Sequence, residues 1–183
     1  MDVLFSGIDR PHSDSSYVLL SLDSGRADVT PGDEDFEEVL GDALRGPLEV
    51  RCHSFAARFS QAAFPRDHVA AFAAQLRAFA PTHQGEAALD GWLDGEDAAG
   101  SVSLRVWAPD LARHAALEVA IECVDFLGNA TFDDRLNVAF SLDMSRWEEP
   151  LSALQTAVAL PRHRADADGH SQPGAAQGDS GAD

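Results

Sequence analysis

Hydrophobic and polar positions along this chain switch between a two-residue and a three-to-four-residue period, and the switches mark its elements. Residues 2–6, DVLFS, and 16–23, SYVLLSLD, read as strands, and the turn-rich DRPHSDS between them predicts a hairpin. Residues 24–47 then change character. Phe36, Val39, Leu40 and Leu44 fall on one helical stripe among carboxylates, which predicts an acidic helix ended by Gly46 and Pro47. In 48–64, LEVRCHSFAARFSQAAF, the period returns to two, and the length of the run predicts one long strand bent near Ala56 and Ala57. Pro65 opens the clearest helix, 66–80, whose stripe is Val69, Phe72, Leu76 and Phe79; Pro81 ends it.

Four alternating runs follow at 86–93, 101–107, 115–126 and 134–143. Val102, Leu104 and Val106 share a face, as do Leu117, Val119, Ile121 and Cys123, and Leu136, Val138, Phe140 and Leu142. Alternation this regular implies one buried face and one wet face, and the short connectors imply an antiparallel meander. A last helix is expected to start at Pro150, with 145–149 as a turn and Leu151, Leu154 and Val158 buried. Ser145 and Glu148 have capping-box spacing, but Pro150 conflicts with a helix begun that early. The resulting fold class is α+β, an antiparallel β-sheet with helices packed on one face. One domain is expected over 1–161. Residues 162–183 lack large apolar side chains and are expected to form a disordered tail.

Composition adds direction. The 183 residues carry 31 acids against 13 bases, a formal charge of −18. That balance disfavours nucleic acid and favours a basic protein partner, while also serving solubility. The chain has no lysine, which excludes Schiff-base chemistry and a Walker-type phosphate loop. MDVLFSG lacks the marks of a signal peptide, and no apolar run approaches a membrane span; a bacterial-type cytoplasmic protein is expected. Cys52 and Cys123 read as buried free thiols.

No catalytic constellation emerges. The histidines at 12, 53, 68, 83, 114, 163 and 170 show no metal-ligand spacing, and no nucleophile elbow or calcium loop is present. His53 is placed on the polar face of its strand and His68 in the first turn of the main helix, both as surface residues. Asp133 and Asp134 read as solvated turn carboxylates. Trp92, Trp107 and Trp147 lie near element ends, where they pack or meet a partner. No catalytic, cofactor-binding or metal residue is assigned and no cofactor is expected.

A resemblance accompanies these patterns. FPRDHVAAFAAQLRAF leads into GEAAL, and a later strand enters VAFSLDMSRWEEPLSALQTAV. Over residues 48–160 this succession resembles the WapI-type immunity proteins and their actinobacterial-type relatives. DMSRWEEP stands where that family has a D-Q-T-like turn, and His114-Ala115-Ala116 where it often has a strand-opening glycine. The resemblance implies an α+β fold and neutralisation of a toxin domain by direct binding. The expected function is therefore a non-catalytic acidic protein-binding module. An accessory or structural domain is the alternative, and a small enzyme with a pocket built from distant residues a further one. The candidate contact residues are Asp33, Glu34, Asp35, Glu37, Glu38, Asp94, Glu96 and Asp97, acids of the 24–47 segment and of a hairpin tip.

Overall fold

A computed structural model describes residues 1–8, 16–24, 42–53, 55–94, 98–109, 115–127 and 130–161. Eight strands form one antiparallel sheet in chain order: β1 (Asp2–Ser6), β2 (Tyr17–Ser21), β3 (Ala43–Cys52), β4 (Phe55–Pro65), β5 (Glu86–Asp94), β6 (Ala98–Trp107), β7 (Ala116–Leu127) and β8 (Ala130–Ser141). Helix α1 (Arg66–Phe79) joins β4 to β5, and α2 (Glu148–Val158) follows β8 after one 3-10 turn, Met144–Arg146. The α+β meander expected from the alternating runs is the observed architecture.

The sheet curls until its first and last strands meet. Gly7 bridges Leu142, the Ile8 amide donates to Ser141 O at 2.9 Å, and the Asp143 amide donates to Ser6 O at 2.9 Å. Alternation puts Val3, Phe5, Val18, Leu20, Leu48, Val50, Leu89, Leu104, Leu117 and Val119 on the inner face, and both helices bury their stripes against it. The predicted stripe of α1 is the buried one, with Phe72 meeting the edge of Phe5 at 6.2 Å.

Four expectations are corrected. Leu44 is not the end of a helical stripe: it lies buried in β3, opposite Phe64. Arg45 bridges Asp23, and Gly46-Pro47 falls where the β3–β4 register shifts. A proline with no amide to donate fits such an irregularity, so sheet pairing overrides a helical period read from four residues. The rest of that predicted helix, residues 25–41, lies outside the described residues, as does the tail. Second, 48–64 is not one bent strand. The chain reverses after Cys52, with His53 at φ 54°, and β4 returns along β3. His53 is thus a turn residue, in a left-handed conformation that histidine enters more readily than most. Third, β8 begins at Ala130, so Asp133 and Asp134 belong to a strand paired with Val124 and Cys123. Cys52 is free and half-buried rather than buried, its Sγ 3.9 Å from Ala139 O.

β4 leaves β5 after only two pairs, Ala62 with Leu93 and Ala63 with Trp92. Gly91 marks the contact: a Cβ there would lie 2.4 Å from Phe64 Cδ1 and 2.5 Å from Ala63 O. Helix α1 then occupies the place beside β5. Gln75 Oε1 accepts from the Ala88 amide at 3.0 Å, and His68 Nδ1 lies 3.3 Å from Asp90 O. His68 is exposed, as expected, and also covers a strand edge.

Arg66 ties the ends of the fold together. It is 6% exposed at the start of α1. Its Nε donates to Asp42 Oδ1 at 2.8 Å, and its Nη1 donates to the α2 end carbonyls of Val158 at 2.8 Å and Leu160 at 2.9 Å. A cation at a helix C-terminus satisfies carbonyls with no intrahelical donor and opposes the helix dipole.

Candidate functional site

The C-terminal end of α1 and the N-terminal end of α2 enclose an open groove of about 630 Å³. Each wall has a local cause. On the first, α1 ends through amides donating back to its last turn: Ala80 to Leu76 O at 3.0 Å and His83 to Phe79 O at 2.7 Å. His83 takes φ 51°, and its ring stacks on Phe79 at 5.7 Å. Gly85, at φ 84°, completes the exit to β5 and is the structural turn that GEAAL suggests. Pro81 and Arg77 complete this wall.

Asp143 organises the second wall. Its carboxylate accepts from the Ser145 hydroxyl at 2.6 Å and the Ser145 amide at 3.0 Å. These bonds, and then Arg146, hold the carboxyl below its ordinary value of 3.8. The expected start of the last helix at Pro150, with 145–149 as a turn, is corrected here: Asp143 caps a 3-10 turn at Met144–Arg146, and Ser145 and Glu148 form no capping box. Helix α2 begins at Glu148, two residues before Pro150. Proline is tolerated there because amides of a first helical turn have no carbonyl to reach. Glu148 and Glu149 face the positive end of the helix dipole.

Trp147 sits between the 3-10 turn and α2 and forms part of the groove lining. It is 6% exposed, and its ring lies 6.2 Å from Phe79, so His83, Phe79 and Trp147 form an aromatic row. Its indole N–H is buried with no acceptor among the described residues. A buried donor left in that state costs about 1–3 kcal/mol. Around it the lining alternates apolar Met144 and Leu151 with Arg77, Glu148, Ser152 and Gln155. The buried Trp147 and half-buried Met144 within a polar rim are residue types enriched at protein contacts.

No family model, curated protein or solved structure matches the chain.

Of the acids proposed from sequence, the structure describes Asp94 alone, and it is not in the lining of this groove. Asp94 ends β5 opposite Ala99 and β6 starts at Ala98, so β5 and β6 pair as an antiparallel hairpin. Asp33, Glu34, Asp35, Glu37, Glu38, Glu96 and Asp97 lie outside the described residues. Those outside segments together hold fifteen acids against five arginines, and the described residues sixteen against eight. The charge surplus is therefore shared between them. Among the described residues, no group of three or more His, Cys, Asp or Glu is placed to hold a metal, and no helix is long and apolar enough to cross a membrane.

Sequence reasoning had marked Trp147 for packing or partner contact, and it is the residue around which the groove forms. Arg77 carries no distinguishing signal in the sequence, and His83 is only one of seven scattered histidines. Nothing local signals that His83 and Trp147, 64 positions apart in the sequence, share one groove.

Proposed function

We propose that this chain is an acidic, non-catalytic protein-binding module whose contact centre is the groove between α1 and α2. The observation that carries the reading is Trp147: a buried aromatic in the lining of an open groove, with an indole donor that no described residue satisfies. A bound segment that brings a carbonyl or carboxylate oxygen to that donor would gain a hydrogen bond, and one without an acceptor would not. The net charge of −18 supports a basic partner, because opposite charge raises association rates even where it adds little final affinity. The resemblance to WapI-type immunity proteins supports a specific form, neutralisation of a basic toxin domain in the cytoplasm. In that form Asp94, Glu96, Asp97 and the acids at 33–38 guide the encounter.

Two measurements test the proposal. The first is co-expression with a toxin domain encoded beside this chain, followed by toxicity assay and pull-down. Protection and a stable complex are expected; unchanged toxicity with no complex sinks the immunity form. The second is Trp147→Phe, which keeps an aromatic ring and removes the unsatisfied donor. Stability is expected to change by less than about 1 kcal/mol, because the lost volume is offset by the lost unsatisfied group. Affinity for the partner is expected to fall about tenfold, the worth of one hydrogen bond of about 1.4 kcal/mol. Full affinity in this variant removes Trp147 from the contact.

A further inference from the structure

The N-terminal half of β4 has an edge with no strand beside it among the described residues. β3 pairs with β4 from Phe55 to Pro65, but β5 pairs with it only at Ala62 and Ala63. On that side, residues 55–61 have no strand partner among the described residues. Free edges are templates for further pairing, and proteins commonly guard them with proline, bulges or charge. Here the stretch FAARFSQ holds no proline and no acid, and its one charge is Arg58. Phe55 is 36% exposed and is the one aromatic among the exposed large hydrophobics of the described residues. Phe59 is half-buried.

We propose that this edge pairs with the same edge of a second copy, joining two sheets in an antiparallel contact about a two-fold axis at Ala57. The sequence chooses both occupant and register. A two-fold perpendicular to the sheet preserves its faces, so only positions of equal parity oppose each other. An axis at Arg58 sets two guanidinium groups against each other. One at Ala56 sets Phe55 against alanine and Phe59 against His53 of the turn. Centring on Ala57 opposes Phe55 to Phe59 twice and Arg58 to Ala56 twice. Aromatic cross-strand pairs form and no like charges meet. The stretch itself holds no acid, so the contact opposes no carboxylate of one copy to a carboxylate of the other on a chain of −18.

The contact is small, so the dimer is weak and salt strengthens it by screening the repulsion between two acidic chains. Sedimentation velocity on the full chain, over a concentration series at low and high salt, tests this. A concentration-dependent dimer favoured by high salt is expected. Ala56 is exposed, so its substitutions leave folding intact. Ala56→Glu sets a carboxylate opposite Arg58 of the other copy and is expected to tighten Kd by about tenfold. Ala56→Arg is expected to weaken it similarly, with two cross-strand pairs at the upper end of their usual worth. Register is read by oxidation in a Cys52→Ser, Cys123→Ser background whose folding is checked by circular dichroism. Ala57→Cys is expected to cross-link, since directly opposed Cα atoms lie at disulfide distance. Ser60→Cys is expected not to, its two copies being about 20 Å apart. A monomer at every concentration and salt, equal effects of the two Ala56 variants, or cross-linking at Ser60 overturns the proposal. So does a monomer whose β4 amides become protected from hydrogen exchange only when a different protein binds.

Discussion

The two ends of β4 have nearly the same apolar residues and opposite fates. Phe55-Ala56-Ala57 opens the strand and Ala62-Ala63-Phe64 closes it. The closing residues are buried on both faces, whereas 55–61 are exposed or half-buried. Composition does not separate them; what lies beside them does. Pro65 ends β4 and α1 begins at once, so the helix is delivered over the closing end and packs there with α2. The opening end projects past the two residue pairs that join β4 to β5, and its residues stay exposed or half-buried among the described residues. Stability is thus expected to concentrate at the covered end, and interactions with other molecules at the uncovered one and in the groove between the helices.

The largest expected effect is at Arg66. Arg66→Ala leaves the end of α2 without its cation and Asp42 without its guanidinium partner. Loss of about 3 kcal/mol is expected: Asp42 is 40% exposed, so the larger part comes from the charged hydrogen bonds of the buried guanidinium to the Val158 and Leu160 carbonyls. For a chain this long that is a fall of about 10 °C in Tm by calorimetry. Arg66→Lys is expected to recover only part of it, since an ammonium cannot reproduce the planar fork. A Tm within a degree of wild type in Arg66→Ala would show that the covered end is held by packing alone.

The next effect compares the two ends directly. Gly91→Ala places a methyl 2.5 Å from the Ala63 carbonyl oxygen, a backbone atom with little room to retreat. Strain of about 2 kcal/mol is expected. Phe55→Ala removes far more atoms but is expected to cost less than about 1 kcal/mol, because the ring is partly in water already. Urea denaturation of both variants checks the order. If the large deletion costs more than the added methyl, the contrast between the ends is wrong.

How much of this was legible in the sequence follows from the same contrast. The meander from β5 to β8 was readable because each strand has one wet face: Val102, Leu104 and Val106 alternate with Ser101, Ser103 and Arg105 without a break. The stripe of α1 was readable because Pro65 and Pro81 bracket it. The reversal at His53 was missed because CHSF carries no glycine or Asn-Gly signal, and a histidine in a left-handed conformation leaves no mark in a residue pattern. Leu44 was misplaced because one leucine fits a period of two or of 3.6 equally well, and only pairing with Phe64 decides it. The groove was beyond reach for a different reason. Trp147 was visible as an aromatic beside a proline, but its contact with Phe79 and His83 depends on how the whole sheet curls. The edge of β4 that no described strand pairs was likewise invisible, since hydrophobic pattern reports which face of a strand is buried and not whether its edge is paired.

The smallest effect concerns a half-buried polar tie at the surface, for comparison with the one at the buried Arg66. The Tyr17 hydroxyl donates to Glu49 Oε1 across β2 and β3. That bond, then partial burial and the repulsion between phenolate and carboxylate, raises the phenol above its ordinary 10.0, while Arg51 pulls the other way. A group with a raised folded value binds its proton more tightly in the native state. Its contribution to stability is therefore complete below about pH 10 and is lost as pH rises through the folded value. The amount is small, because water competes for both partners. The shift itself is easy to read, because Tyr17 is the one tyrosine of the chain and phenolate absorbance reports it without overlap. Native protein is expected to titrate above 10, and Glu49→Gln to return most of the way toward it without a change in Tm. A native midpoint at or below 10 would mean that Arg51, not Glu49, controls the phenol.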